Sequence, residues 1–369
     1  MRTRAGVCWE TGAKWSVEEV ELDEPKAGEV LVRLAASGLC HSDDHAVTGD
    51  MPAGLPMVGG HEGAGVVEAV GPGVTSVAPG DHVVLTFVPA CGRCRWCMSG
   101  MANLCDVGAK ILGGLPMDGT HRTHARGQGL TRMTGLGTFS PHTVVHEYSV
   151  VKIDQDVPLE LAALVGCGVA TGFGSAINTA EVGPGDTVVV VGVGGVGAAA
   201  IQGARVAGAE HIVAVDPVAW KLDQAKVFGA THGVASMEEA VPLLVDLTRG
   251  VLADKAILTV GVAHGQMVGP LLALIRKGGI AVVTAVAPWT ETDANLSLFE
   301  LAIWQKQLRG SLFGGYAPAV AVPQLLKLYR RGLLRLDDLV TRRYSLDDLQ
   351  QGYDDMHAGR NIRGLVVFD

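Results

Sequence analysis

Four of the seven cysteines in the sequence lie in one short stretch, at Cys91, Cys94, Cys97 and Cys105. Their spacing, CxxCxxCx₇C, allows four thiolates in one loop to surround a tetrahedral Zn²⁺ and to leave no open position for chemistry. An iron–sulfur cluster also takes four thiolates, but this spacing does not follow the ferredoxin patterns. An odd number of cysteines in a long chain also favours metal ligation over disulfides. The stretch therefore predicts a structural zinc site.

A glycine-rich loop is the second pattern with chemical meaning, and it follows the apolar run Thr187–Val191. The loop comprises Gly192, Val193, Gly194, Gly195, Val196 and Gly197. This is a GxGxxG pattern, whose glycines allow a tight turn, the approach of a pyrophosphate to the backbone, and close packing of a helix on a strand. The alternative is a glycine-rich turn in a domain without nucleotide. The apolar strand before the loop and the alanine-rich helix after it favour a dinucleotide.

An acid at Asp216 ends the next apolar run, about 20 residues beyond the loop, where the dinucleotide pattern expects one. Its carboxylate would accept hydrogen bonds from the adenosine ribose and would repel a 2′-phosphate. We therefore predict NAD(H) as the cofactor in preference to NADP. Lys221, at the start of the next predicted helix, would either reach the same ribose or stand in solvent as an ordinary surface lysine.

Three further metal-ligand residues are scattered along the chain at Cys40, His61 and Cys167, and Glu62 stands next to the histidine. Taken singly, each has an ordinary interpretation as a buried thiol or as a histidine hydrogen-bonded in a turn. Together with an NAD loop they predict a zinc site with two cysteines, one histidine and an open fourth position, an arrangement suited to alcohol oxidation. Cys8 fits no such pattern, and we expect it in a buried strand.

Length and composition limit the class of protein. The 369 residues exceed the roughly 250–300 at which a single core stops growing, so we expect at least two domains. Hydrophobic residues make up 48%, charged residues 18%, and mean hydropathy is +0.29, values typical of a folded protein. Four glycines break the most apolar stretch, Thr187–Ile201, so we expect no membrane span, and in the absence of an export signal a cytoplasmic location. A net charge of −9 with scattered basic residues disfavours nucleic acid.

The pattern of apolar runs changes along the chain. Residues 1 to about 168 are strand-rich with turn clusters between the strands, whereas apolar strands alternate with helical segments from about Thr171. The expected strands of this second part are Thr187–Val191, His211–Val215, His232–Ala235, Lys255–Val260, Ile280–Val286 and Leu308–Phe313. The expected helices include 198–207, 220–228, 266–277 and 322–331, and several of them stop at a glycine, among these Gly208, Gly229 and Gly278. We predict an α/β protein with a six-stranded parallel sheet covered on both faces.

The sequence resembles the zinc-dependent medium-chain alcohol dehydrogenases. The resemblance rests on several motifs in the right order, namely GLCHSD at 38–43, GHEGAG at 60–65, the four-cysteine stretch, GCG at 166–168, the glycine loop and NIRG at 361–364. Within that family it is most similar to the nitrosoaniline-dependent branch of actinobacteria, which retains its NAD. This closer similarity lies in LGTFSP at 136–141 and VDPVAWK at 215–221.

The resemblance implies a division into two domains. Residues 1–168, completed by 313–369, would form a β-rich GroES-like catalytic domain, and residues 169–312 would form a doubly wound Rossmann domain. It also implies two zinc ions per chain, with the catalytic ion on Cys40, His61 and Cys167. Glu62 would be an acid able to approach that metal, and Asp43 would orient His61.

The family resemblance also assigns roles around the cofactor. Ser42 and His45 match the proton relay, and Thr171 would lie against the nicotinamide. Arg363 and His41 would contact the pyrophosphate, although many relatives have arginine where His41 stands.

The function implied is reversible oxidation of primary alcohols to aldehydes by hydride transfer to NAD, which stays bound and passes its electrons to an external acceptor. A homodimer or homotetramer is expected. Two alternatives remain open: a thiol-adduct formaldehyde dehydrogenase with the same fold and cofactors, and a non-enzymatic redox sensor that releases zinc from the four-cysteine site on oxidation.

Overall fold

The structure is a computed structural model that describes residues 1–111 and 113–368. These residues form eighteen strands and twelve α-helices, labelled in chain order. The strands are β1 (Arg2–Cys8), β2 (Ser16–Leu22), β3 (Glu29–Gly38), β4 (Met57–Val58), β5 (Gly63–Val70), β6 (His82–Leu85), β7 (Thr123–Ala125), β8 (Gln128–Arg132), β9 (His142–His146), β10 (Val150–Ile153), β11 (Thr187–Val191), β12 (His211–Val215), β13 (His232–Val234), β14 (Ala253–Leu258), β15 (Ile275–Val283), β16 (Gln307–Gly310), β17 (Val340–Tyr344) and β18 (Arg363–Val367). The helices are α1 (His41–Thr48), α2 (Arg95–Met98), α3 (Asp106–Ile111), α4 (Leu159–Ala162), α5 (Gly168–Gly174), α6 (Gly195–Ala207), α7 (Ala219–Phe228), α8 (Met237–Thr248), α9 (Val268–Ala273), α10 (Leu298–Ile303), α11 (Pro318–Arg330) and α12 (Leu349–His357).

The chain divides into two compact units. Unit 1 comprises Met1–Cys167, Ala317–Arg331 and Val340–Asp369, and unit 2 comprises Gly168–Tyr316 and Gly332–Leu339. The functional domains and their boundaries at 168 and 313 stay a prediction.

Two parts of the tail predicted to complete the catalytic domain, residues 313–316 and the segment Gly332–Leu339, group with unit 2, and side-chain contacts hold the second of them. The side chain of Gln202 on α6 hydrogen-bonds both the backbone N–H and the carbonyl of Arg335. Arg205, on the same helix, donates to the carbonyl of Leu333 at 2.6 Å. These contacts explain why Gly332–Leu339 groups with unit 2, and no pattern in the sequence predicts them.

Unit 1 contains a closed barrel and a larger sheet. The barrel order is β1-β2-β7-β8-β4, and the sheet order is β10-β6-β5-β3-β18-β17, with β9 also paired to β3. The mostly apolar strand β3 organises this sheet because it pairs with β5, β9 and β18. The register that sets Leu365 opposite Gly38 brings the beginning of β18 next to the segment that carries Cys40.

Unit 2 is built on the predicted six-stranded parallel sheet, which the structure confirms in its described residues. The strand order is β13-β12-β11-β14-β15-β16, and all five pairings are parallel. This order of strands is that of a doubly wound dinucleotide-binding sheet. All five residues of the central strand β11, TVVVV, are buried, as expected for a sheet covered on both faces.

Two of the predicted helix ends are confirmed. Gly208 follows α6 with φ 87°, and Gly229 follows α7 with φ 117°. Both are left-handed caps, a conformation that glycine adopts without the steric penalty of a Cβ.

The predicted helix over 266–277 is too long. Helix α9 ends at Ala273, and β15 begins at Ile275 because that residue pairs with Ala253 of β14 before the register shifts. Gly278, predicted to stop the helix, lies within β15 with φ 69°. Pairing with a distant strand has overridden the local pattern here.

No single helix among the described residues is long and apolar enough to cross a membrane. Two consecutive helical segments, Leu159–Gly166 and Gly168–Thr179, meet the length and composition required only when they are taken together across a bend.

Candidate active site

A buried cluster of metal-ligand side chains lies in unit 1. Cys40 directly precedes α1, His61 and Glu62 directly precede β5, and Cys167 ends the first segment of the unit. One ligand atom of each of the four residues lies within 4.8 Å of the others, and all four residues are buried. The structure therefore brings together the residues predicted to surround the catalytic zinc, although their role as ligands stays a prediction.

The surroundings of His61 fit a zinc ligand, because a carboxylate lies next to one nitrogen of its ring. Asp43 Oδ2 lies 3.1 Å from Nδ1 of His61, and Asp43 Oδ1 accepts a hydrogen bond from the N–H of Gly60 at 2.7 Å. Both ring nitrogens of His61 are buried, and among residues 1–111 and 113–368 neither has a hydrogen-bond partner, although Asp43 lies at ion-pair distance from Nδ1. A carboxylate on one ring nitrogen, with the other nitrogen directed at the cluster, is the usual setting of a zinc-bound histidine.

Arg363 forms an ion pair with Glu62 inside the same cluster. Burial raises the pKa of Glu62 to about 7, and the guanidinium of Arg363 opposes that rise. The contact of Arg363 with the pyrophosphate stays a prediction, and the sequence contains no signal for its pairing with Glu62 because the two residues are 301 positions apart. A buried ion pair of this kind fixes the carboxylate and so limits its freedom to act as a metal ligand.

The predicted proton relay begins beside the cluster. Oγ of Ser42 lies 3.6 Å from Cys40 Sγ, and Nδ1 of the buried His45 lies 3.2 Å from Asp50 Oδ2. The relay itself stays a prediction. Burial lowers the pKa of His41, so that this residue carries little positive charge for a pyrophosphate near neutral pH.

The four clustered cysteines form a second candidate metal site. Sulfur atoms of Cys91, Cys94, Cys97 and Cys105 all lie within 4.8 Å of one another. The backbone N–H groups of Cys97 and Asp106 donate to Cys94 and lower its pKa to about 6, whereas burial raises the pKa of Cys97 to about 12 and also raises that of Cys105. Cys8 is buried in β1, as expected, and belongs to neither set of ligands.

The glycine loop of unit 2 has the shape that a dinucleotide requires. Gly192 follows β11 with φ 96°, and a Cβ on Gly197 would lie 1.8 Å from the carbonyl oxygen of Gly192. A Cβ on Gly194, in contrast, would meet no atom within 4 Å, so this backbone is open to a ligand at the beginning of α6. Thr259, which sequence reasoning missed, supports the turn by donating to the carbonyl of Gly192 at 2.7 Å.

The other predicted cofactor residues of unit 2 lie around this loop and on α5 and α7. Asp216 accepts hydrogen bonds from the N–H groups of Val193 at 2.8 Å and Val218 at 2.9 Å, which ties the loop to the end of β12. Lys221 lies in the first turn of α7. Thr171, on α5, is 9% exposed, and its hydroxyl has no hydrogen-bond partner in the described part of the chain. A buried hydroxyl without a partner is consistent with the predicted nicotinamide contact, and all three roles stay predictions.

Comparison with known proteins decides the family. Residues 26–155 match the alcohol dehydrogenase GroES-like domain, and residues 195–330 match the zinc-binding dehydrogenase domain. Alcohol dehydrogenase B of Mycobacterium tuberculosis is 51% identical over 370 residues, which cover 100% of this chain and 99% of the relative. The chain belongs to the zinc-dependent alcohol dehydrogenase family. Zinc and NAD(H) accordingly fit its two ligand sets and its glycine loop, and the predicted fold class is confirmed.

Two further comparisons support this place in the zinc-dependent alcohol dehydrogenase family. The NDMA-dependent alcohol dehydrogenase of Amycolatopsis methanolica is 48% identical over 368 residues, covering 100% of this chain and 99% of the relative. The crystal structure of benzyl alcohol dehydrogenase from Acinetobacter calcoaceticus is 31% identical, covers 100% of both chains and has a TM-score of 0.93.

Removing single thiols should separate the two zinc sites. We expect Cys94→Ser to lose one of two zinc ions per chain and to lower the thermal midpoint by on the order of 10 °C, because structural zinc contributes folding free energy. Cys40→Ser should lose the other zinc and reduce turnover by on the order of 10³-fold with a smaller change in stability. Elemental analysis and thermal unfolding measure both effects.

Cys8→Ala is the matched control, a buried cysteine outside both sets, and it should keep two zinc ions. Wild-type protein with one zinc or none per chain would contradict the prediction.

Proposed function

We propose that this protein oxidises primary alcohols to aldehydes, reversibly, by hydride transfer to NAD at a zinc site. The observation that carries the proposal is the buried set of Cys40, His61, Glu62 and Cys167, with ligand atoms within 4.8 Å of one another, in a chain that also has an open dinucleotide loop. The relatives named alcohol dehydrogenase, benzyl alcohol dehydrogenase and NDMA-dependent alcohol dehydrogenase support the choice of substrate class.

Three side chains would hold the metal. In this site zinc supplies a Lewis acid for the alcohol oxygen, and NAD supplies the hydride acceptor. Cys40 and Cys167 contribute two thiolates, which balance the charge of the dication, and His61 contributes a neutral ring nitrogen. Asp43, 3.1 Å from Nδ1, would orient that ring and would favour a proton on Nδ1. Burial of the cluster excludes bulk water and strengthens each of these electrostatic interactions.

Ser42 and His45 would carry the proton away. Oγ of Ser42, 3.6 Å from Cys40 Sγ, places a hydroxyl beside the metal ligands, where it accepts the alcohol proton and donates its own. Nδ1 of His45 lies 3.2 Å from Oδ2 of Asp50, so that this carboxylate would stabilise the imidazolium that forms when His45 takes the proton.

The nicotinamide cofactor is proposed to stay bound between turnovers. The support is the 48% identity to an NDMA-dependent alcohol dehydrogenase over the full chain. Retention requires slow dissociation, since affinity differences among related complexes lie mostly in the off-rate. An enzyme of this kind regenerates its oxidised cofactor by passing the electrons to an external acceptor. A cytoplasmic location is part of the same proposal.

A second copy of the chain is the proposed partner of an exposed apolar surface on unit 2. Leu298, Phe299 and Ile303 on α10 are 74%, 66% and 64% exposed, and β16 lies at the edge of the parallel sheet. Exposed apolar patches and unpaired sheet edges are typical of subunit interfaces. Pairing of two such edges about a two-fold axis gives the expected homodimer, and a homotetramer is its simple extension.

The decisive experiment measures cofactor content and turnover in the same preparation. We expect extensively dialysed protein to release nicotinamide dinucleotide on denaturation and to oxidise benzyl alcohol rapidly with a nitrosoaniline dye, but to reduce added NAD poorly. Activity with formaldehyde only in the presence of a thiol would favour the thiol-adduct alternative. Binding of zinc and NAD without any alcohol oxidation would favour the redox sensor. Dialysed protein that contains no dinucleotide and needs added NAD would contradict retention alone.

Cofactor choice is tested at Asp216. We expect Asp216→Ser to weaken NAD binding about tenfold, through loss of one charged acceptor, and to strengthen NADP binding by removing the repulsion. Dissociation constants for both dinucleotides on protein stripped of cofactor provide the measurement. Asp223→Ser removes an exposed acid of the neighbouring helix α7 and should change neither constant. A wild type that binds NADP as tightly as NAD would refute the assignment.

The subunit interface is tested by charge insertion. We expect Phe299→Glu combined with Ile303→Glu to convert the wild-type oligomer to monomer, because two carboxylates cannot be buried without partners. Light scattering after size-exclusion chromatography measures the mass. Val245→Glu, at an exposed apolar residue on α8, should leave the oligomer intact. A monomeric wild type would exclude the interface.

A further inference from the structure

Unit 2 contains a cluster of hydroxyl side chains that lies outside the glycine loop and the two sets of metal-ligand residues. Oγ of Ser175 lies 2.6 Å from the carbonyl oxygen of Thr171, 2.9 Å from Oγ of Ser311 and 3.2 Å from Oγ1 of Thr284. Oγ of Ser311 lies in turn 2.9 Å from Oγ1 of Thr179. The cluster joins the helical segment that begins with α5 to the residues that follow β15 and β16.

The shortest contact of this cluster, 2.6 Å from Oγ of Ser175 to the carbonyl oxygen of Thr171, sets the order of its protons. The carbonyl of Thr171 can only accept, and it lies closer to Ser175 than Oγ1 of Thr284 does, at 2.6 Å against 3.2 Å, so we assign the single hydroxyl proton of Ser175 to this carbonyl. Ser311 must then donate to Ser175, and Thr179 must donate to Ser311. Thr179, Ser311 and Ser175 therefore form a directed hydrogen-bond chain that ends on α5, and each bond polarises the next. We call these three residues the hydroxyl chain.

The hydroxyl chain lies at the half of the parallel sheet that is predicted to bind the nicotinamide and not the adenosine. A doubly wound sheet binds a dinucleotide across the carboxyl ends of its strands, one mononucleotide on each half. The glycine loop follows β11, and Asp216 ends β12, so the adenosine half is the one toward β13. The nicotinamide half is then formed by β14, β15 and β16. Thr284 and Ser311 stand at the carboxyl ends of the last two of these strands.

The helical segment that begins with α5 contacts the ends of these strands through a local change in its helical geometry. Residues Ser175–Thr179 form a π-helical turn directly after α5, a rare local geometry that is often found at functional sites. Through this turn both Ser175 and Thr179 contact Ser311. Thr171, one helical turn before Ser175, is the residue whose carbonyl receives the hydroxyl chain and whose own buried hydroxyl has no partner in the described residues.

We propose that the hydroxyl chain is a positioning device for the nicotinamide end of the cofactor. By tying α5 to the ends of β15 and β16, it holds Thr171 so that the unpaired hydroxyl is presented to the nicotinamide carboxamide, which has both donor and acceptor groups. Ser311 is the central positioning residue because it bonds both Ser175 and Thr179. This inference rests on the proposed NAD dependence and adds the residues that fix the ring.

The test compares two ligands that differ only in the nicotinamide. Protein stripped of dinucleotide is titrated with NADH, followed by nicotinamide fluorescence, and with ADP-ribose, followed by competition or calorimetry. We expect Ser311→Ala to weaken NADH binding about tenfold, since it removes both links of a partly buried hydrogen-bond chain, and to change ADP-ribose binding less than twofold. Ser311→Thr keeps the hydroxyl and should restore NADH binding. Thr179→Val, which removes the outer donor, should show the same pattern to a smaller degree.

The control separates positioning from general loss of stability. Ser236 caps α8 of the same unit by accepting from the N–H of Glu239, so Ser236→Ala should lower thermal stability but leave the ratio of the two dissociation constants unchanged. If Ser311→Ala weakens the binding of NADH and of ADP-ribose equally, or leaves NADH binding unchanged, the proposal is overturned. If Ser311→Ala does not fold, the same two measurements on Thr179→Val decide the question. Alcohol turnover is measured separately, so a wild type that binds NADH but oxidises no alcohol refutes the proposed function and leaves this inference standing.

Discussion

Four ionisable side chains cannot be buried at one point of a protein unless something balances their charge and satisfies their polar atoms. Cys40, His61, Glu62 and Cys167 are buried in this way, with ligand atoms within 4.8 Å of one another. A divalent cation resolves the conflict for the thiolates, and Arg363 resolves it for the carboxylate. Much of unit 1 follows from this constraint, because three distant stretches of chain must be held together by β3 and its partners before the cluster can exist.

The structure of unit 2 depends on a different constraint, namely the close approach of backbone segments to one another. A Cβ on Gly197 would lie 1.8 Å from the carbonyl oxygen of Gly192, and one on Gly172 would lie 2.0 Å from that of Val196. The first contact closes the turn of the predicted cofactor loop, and the second packs α5 on α6. Both positions require glycine, because there is no room for the Cβ of any other residue. The two units thus depend on different physics, charge compensation in one and backbone proximity in the other.

What the sequence reveals depends on the range of the interaction. The four-cysteine stretch and the glycine loop are local, and their geometry follows from spacing, so both could be predicted. Helix α9 could not be bounded, because pairing of Ile275 with Ala253 decides where the strand begins. Contacts between residues far apart leave no trace in a single sequence. The pair Glu62 and Arg363 spans 301 positions, and the contact of Ser175 with Ser311 spans 136.

The pairing of Glu62 with Arg363 bears on how many ligands the metal has. A zinc site with four protein ligands is closed, and catalysis needs a position for the substrate. Burial raises the pKa of Glu62 to about 7, yet Arg363 lies against the same carboxylate and favours its charged form. Arg363 holds one oxygen of this carboxylate and balances its charge, so that Glu62 does not depend on the metal for a partner. The ion pair therefore favours the assignment of Cys40, His61 and Cys167 as the three ligands, with the fourth position open for an alcohol.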